Sequence, residues 1–163
     1  GDLGFLADGE LFLTGRAKDL VIVNGRNHMP TEIEAAVDAV PGVRTGCAVA
    51  ASWLPAGADG ERLVVLVEAQ QGLAGERWPE LAAACEREIR AACGLEPYRV
   101  EVLAPGTLPR TSSGKLRRRE ALRLWLAGEL APPEPVTPLR VAAAMARSTL
   151  ALTRLAWGRG DGG

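Results

Sequence analysis

Two apolar runs near the middle of the chain, residues 43–52 (VRTGCAVAAS) and 62–69 (RLVVLVEA), follow each other with only a polar, glycine-rich loop over 55–61 between them. Both are short, aliphatic and β-branched, which is the composition of strands at the centre of a sheet. Two strands in direct succession break the strict alternation of a doubly wound parallel sheet, so the expected fold class is α+β, with a small mixed or antiparallel sheet.

The flanking segments agree with that class. Residues 3–14 read as a hairpin turned at Asp8-Gly9, with Phe5, Leu6, Leu11, Phe12 and Leu13 beside the turn and Gly15 breaking the strand. Leu20-Val21-Ile22-Val23 is a short strand that turns at Asn24-Gly25 into a loop, Arg26-Asn27-His28-Met29. Pro30 and Thr31 open a helix, with Thr31 and Glu34 at capping-box spacing and Ile33, Val37 and Val40 on one face, and Pro41-Gly42 closes it. A second helix starts at Pro79, runs through Leu81, Cys85, Ile89 and Cys93, and is capped by Gly94. A strand over Arg99–Leu103, an irregular loop over 105–115 and a third helix over 116–128 complete the domain.

Four prolines in the seven residues 132–138 predict a stiff, extended linker. Beyond it, residues 139–157 read as a helical tail with Arg140, Arg147 and Arg154 on one stripe, and the glycine-rich end reads as disordered. At 163 residues the chain has room for one domain and a tail. It opens directly in strand-like sequence without a start, which is expected of a fragment whose missing part lies upstream.

A formal net charge of -1 with few aromatics argues against nucleic acid as a partner. No apolar run reaches the roughly 18 residues needed to cross a bilayer, and no signal peptide is present, so a cytoplasmic location is expected. Cys47, Cys85 and Cys93 lack CxxC spacing and read as small buried hydrophobes in a reducing compartment, and no metal site is expected.

One segment invites a chemical reading. In Leu108-Pro109-Arg110-Thr111-Ser112-Ser113-Gly114-Lys115, a lysine ends a loop stiffened by proline and lined with hydroxyls, which suits an anion. A surface lysine at the start of an amphipathic helix fits the same residues. A nucleotide P-loop does not, because Gly106 to Gly114 is too long a spacing and Leu116 stands where the magnesium-binding hydroxyl belongs. Arg117, Arg118 and Arg119 add a basic run that reads either as a solvated face or as an attractor for an acidic carrier protein or a phosphate.

Three segments, GDLGF at 1–5, GRAKDLVIVNGRNHMPTEIE at 15–34 and LPRTSSGKLRR at 108–118, occur in one order. Together they resemble the C-terminal domain of the adenylate-forming superfamily of acyl-CoA synthetases, luciferases, peptide-synthetase adenylation domains and fatty acyl-AMP ligases. The GRNH run and the WLAGEL ending at 125–130 are similar to the fatty acyl-AMP ligases, although Met29 stands where those often carry tyrosine.

The resemblance implies roles residue by residue. Lys115 would be the catalytic lysine that touches the substrate carboxylate and the α-phosphate. Asp2 would accept hydrogen bonds from the ribose hydroxyls, and Arg16 would contact phosphate or ribose. Lys18 would be the hinge about which the domain rotates between half-reactions. Gly25 and Arg26 would line the phosphopantetheine tunnel after rotation, while His28 would be structural or hydrogen-bonding. Residues 1–14 would then end a large upstream domain, and 15–131 would form the mobile lid.

ATP and Mg2+ would be held mainly by the upstream domain, a fatty acid would be the substrate, and the phosphopantetheine of an acyl carrier protein would be the acceptor, as in lipid or polyketide biosynthesis. The isolated fragment would be inactive. An acyl-CoA ligase, a peptide-synthetase adenylation domain and a non-catalytic carrier-binding module are the alternatives.

Overall fold

Where the sequence puts Asp-Gly or Asn-Gly between apolar residues, the chain reverses into a hairpin. A computed structural model describes residues 1–16 and 20–132, with the backbone alone for residues 2, 3 and 13–16. In it β1 (Asp2–Ala7) pairs antiparallel with β2 (Glu10–Arg16). Asp8 and Gly9 take φ of 51° and 81°, the two positive angles of the turn that matches strand twist. Phe5 and Phe12 stand opposite each other with ring centroids 5.2 Å apart, and both are exposed.

Contrary to the expected break at Gly15, β2 continues to Arg16. The register shifts between Leu3 and Gly4, and this irregularity absorbs an extra residue instead of ending the ladder.

The segment expected to be a loop after Asn24-Gly25 is a strand. β3 (Val21–Val23) and β4 (Arg26–His28) pair antiparallel, because Asn24 and Gly25, at φ 51° and 72°, form the same kind of turn and send the chain straight back.

α1 (Pro30–Asp38) follows, and here the expected capping box is absent. Met29 is the N-cap with no side-chain cap bond, so Thr31 lies inside the first turn. Pro30, with its φ pre-set for a helix, starts α1 one residue before the hydroxyl could cap it. Glu34 is thereby released for a tertiary role.

The main sheet has the order β5 (Val43–Trp53), β6 (Arg62–Ala69), β7 (Arg99–Leu103), with β5 antiparallel and β7 parallel to β6. The parallel pair needs a long connection, which α2 (Trp78–Cys93) supplies. α2 ends as expected on Gly94 in the left-handed region, φ 65°, its N–H donating to the Arg90 carbonyl at 3.1 Å.

β6 is buried on both faces. Leu63, Val65 and Val67 pack with Ile33, Val37 and Ile89 of the two helices, while Val64 and Leu66 pack with Val49, Leu108 and Ala121. The second cluster is closed by α3 (Arg118–Leu126), whose Trp125 meets Trp53 edge to face at 5.5 Å. α3 starts two residues later than expected because Leu116 is held in a β-bridge with Arg110.

Fold class is therefore α+β, with an N-terminal hairpin, a mixed sheet and three helices among the described residues. None of those helices is long and apolar enough to cross a membrane. The hinge candidate Lys18, the linker beyond Pro132 and the tail over 139–163 lie outside the described residues.

Candidate functional site

The Lys115 loop is a tight hairpin. Proline at 109 and glycine at 114 restrict where the chain can turn, and Gly114 adopts φ 83°, a conformation that side-chain-bearing residues rarely take. Thr111 closes the turn: its N–H donates to the Lys115 carbonyl at 2.8 Å, its carbonyl accepts from Gly114 N–H at 2.9 Å, and its Oγ1 accepts from Lys115 N–H at 3.0 Å. Ser113 shares a hydrogen bond with the same hydroxyl at 2.9 Å. The backbone at Lys115 is thus fully engaged while the residue itself is exposed, and its ammonium has no ion-pair or hydrogen-bond partner among the described residues. Such an arrangement presents a cation without a competing internal anion, which suits transient contact with a phosphate or carboxylate.

Three charged residues whose importance the sequence did not reveal hold this loop. Glu68 is fully buried at the end of β6, where its carboxylate accepts from Leu108 N–H at 2.8 Å and from Arg44 Nη1 at 2.7 Å. Burial alone pushes the Glu68 carboxyl up. Hydrogen bonds from the Gly106 and Leu108 backbone and from Arg44 outweigh it together and hold the group below the usual carboxylate range. A charge buried in an otherwise aliphatic strand was the one available signal for it in the sequence.

Glu34, read from sequence as a capping partner, instead accepts from Arg118 Nε and Nη2, both at 2.6 Å, and from Ala50 N–H at 3.1 Å. Arg118 is therefore turned inward, so the basic run 117–119 is not one solvated face. This bidentate pair bolts the helix that follows Lys115 to the helix that follows Gly25 and Arg26.

The other predicted site residues fall elsewhere. Gly25 and Arg26 sit at the β3–β4 turn and are exposed, with nothing within 4 Å of where a Gly25 Cβ would stand. Asp2 and Arg16 are register partners across β1 and β2, so the hairpin sets their backbones opposite each other, while their side chains lie outside the description. His28 ends β4, paired with Val21. A groove of about 710 Å³ separates this hairpin from α3, lined by Ile22, Asn27, Ser52, Arg119 and Leu122 among others.

Among the described residues no group of three or more His, Cys, Asp or Glu lies together as a metal site. The donor set around Lys115 is cationic and hydroxylic, which fits the phosphate side of a nucleotide and not its divalent ion. Cys47 and Cys85 are buried, Cys93 is half-buried, and all three are free thiols.

The chain is similar to known proteins. Residues 25–122 match the family model described as the AMP-binding enzyme C-terminal domain. The long-chain-fatty-acid–AMP ligase FadD26 of Mycobacterium marinum is 42% identical over 123 residues, covering 72% of this chain and 20% of that protein. The medium-chain fatty acid–acyl-carrier-protein ligase JamA of Moorena producens is 37% identical over 132 residues, covering 80% of this chain and 22% of JamA. The chain thus spans about a fifth of the length of these curated relatives.

Among solved structures, one from a study of fatty acyl-adenylate ligases of E. coli and L. pneumophila superposes with a TM-score of 0.66 at 34% identity, over 78% of this chain and 22% of that one. The matched span runs from the β3–β4 turn through the Lys115 hairpin into α3, the segments that Glu34 and Arg118 join, and the chain belongs to the AMP-binding enzyme C-terminal domain family.

Proposed function

We propose that this chain is the mobile lid of an ATP-dependent fatty acyl-AMP ligase, and that Lys115 is its catalytic cation. The observation that carries this reading is the exposed ammonium at the end of a hydrogen-bonded hairpin, without a partner among the described residues. Attack of a carboxylate on the α-phosphorus brings two anions together and builds charge on phosphoryl oxygens as pyrophosphate leaves. A pre-positioned ammonium at those oxygens lowers that barrier.

The remaining pieces follow from the same reading. The upstream domain holds the acid, the adenine and Mg2+, with Asp2 on the ribose and Arg16 on ribose or phosphate. Rotation about Lys18 then withdraws Lys115 and brings the Gly25-Arg26 turn to the thiol of a phosphopantetheine, where the bare Gly25 backbone permits close approach. The acceptor is a carrier protein, and the exposed Arg117 and Arg119 suit its acidic surface. The reading places the enzyme in the cytoplasm, where free thiols persist and ATP is supplied. The lid alone is inactive.

The test is adenylate formation by the full-length ligase, trapped as hydroxamate across a panel of acids. Lys115→Ala should lower the rate by about 10²- to 10³-fold. Unchanged adenylation would refute the assignment. Acyl transfer to carrier protein against free CoA identifies the acceptor, and Lys18→Pro should spare adenylation while transfer collapses.

A further inference from the structure

At the base of the Lys115 hairpin, in the bridge with Leu116, one side chain reaches beyond the hairpin itself. Arg110 donates from Nη1 to the Gly114 carbonyl at 2.8 Å, and from Nη2 to the Gly46 carbonyl at 3.1 Å and the Cys47 sulfur at 3.0 Å. One planar guanidinium thereby spans from the residue before Lys115 to strand β5.

The receiving surface on β5 is shaped for this. The β5–β6 register shifts between Val43 and Ala48, and Gly46 within that stretch takes φ 67°. Its N–H is anchored by Asp38 Oδ2 at 3.0 Å, so the bulge is tied to the end of α1. Burial pushes the Cys47 thiol up, which keeps the sulfur neutral beside the guanidinium.

We propose that Arg110 is the positioning residue for Lys115, a strut that fixes the hairpin's direction against the β5 bulge, and this inference rests on the reading of Lys115 as the adenylation cation. The hydrogen bonds inside the hairpin, all between residues 109 and 117, define its shape, and Glu68 on β6 holds its base through Leu108 N–H. Only Arg110, among its described hydrogen-bonding side chains, reaches β5. Lysine cannot replace it fully, because a single ammonium on a flexible stem cannot hold carbonyls on both elements in the geometry of a fork.

The experiment uses the full-length ligase with Arg110→Ala, Arg110→Lys, Lys115→Ala and the Arg110→Ala/Lys115→Ala double variant. Misplacement of a reacting group by about 1 Å can cost about 10²-fold, so Arg110→Ala should lower kcat for adenylation by up to that factor with KM for ATP and acid unchanged. Arg110→Lys should recover part of the loss. In the Lys115→Ala background, Arg110→Ala should add no further loss, and amide hydrogen exchange at Gly114 and Lys115 should quicken in Arg110→Ala without substrates.

Full kcat in Arg110→Ala, unchanged exchange, or an equal additional loss in the double variant would each overturn the strut. Should Lys115→Ala itself retain full adenylation, the reading of Lys115 falls and this inference with it. A silent Lys115→Ala beside a fully active Arg110→Ala overturns the strut alone.

Discussion

Removing the Glu34 carboxylate should be among the most destabilising single changes in the domain. In Glu34→Ala, Ala50 N–H loses its acceptor in a buried strand, and a buried donor left unsatisfied costs about 1–3 kcal/mol. Arg118 at the same time loses both 2.6 Å hydrogen bonds to the carboxylate. Breaking a fully buried pair costs about 3–5 kcal/mol, but here the Arg118 side chain keeps 26% of its surface in water and Glu34 keeps 12%, so solvent takes up part of that loss.

The sum expected is about 3 kcal/mol. For a domain of this size about 4 °C is lost per kcal/mol, so the unfolding midpoint should fall by about 12 °C. The assay is urea and thermal unfolding of wild type, Glu34→Ala, Arg118→Ala and the double variant. Because the partners touch, the cycle should return a coupling energy of at least about 1 kcal/mol. A coupling near zero, with Glu34→Ala as stable as wild type, would refute the claim that this pair joins α1, β5 and α3.

Other outcomes are equally specific. Glu68 has a lowered folded-state pKa, so its stabilisation is fully present above its unfolded value, about 4.3, and is lost as pH falls through the lower folded value; acid unfolding followed by circular dichroism should show Glu68→Gln less stable than wild type at pH 7 and flatter across that acidic window. Burial pushes the Cys85 thiol up to about 11, so iodoacetamide at pH 8 should label Cys85 far more slowly in native than in urea-unfolded protein, as read by mass spectrometry. Gly25→Ala meets no neighbour within 4 Å and should cost only the left-handed strain of about 1–2 kcal/mol, while in the full-length ligase it should slow transfer to the carrier thiol and spare adenylation.

Turns and element ends were legible in the sequence because they are decided within a few residues. Asp8-Gly9 and Asn24-Gly25 admit the positive φ of hairpin turns, Gly94 admits the left-handed cap of α2, and the aliphatic run 62–69 suits a strand covered on both faces. Where sequence reading went astray, a neighbouring constraint prevailed: Pro30 started α1 too early for Thr31 to cap it, and the Arg110–Leu116 bridge delayed α3. The glycine and hydroxyl context of Lys115 fitted an anion site and a surface lysine alike, and the resemblance of three segments to the adenylate-forming superfamily singled it out.

What holds that lysine did not stand out. Glu34 and Arg118 are 84 residues apart, Arg110 and Gly46 are 64 apart, and Leu108 and Glu68 are 40 apart. In one dimension Glu34, Arg110 and Arg118 resemble any surface glutamate or arginine, and Glu68 differs only in standing within an aliphatic run. Only when the sheet and helices bury their apolar faces are these groups brought within hydrogen-bonding distance and stripped of water, and that desolvation makes the choice of partner matter.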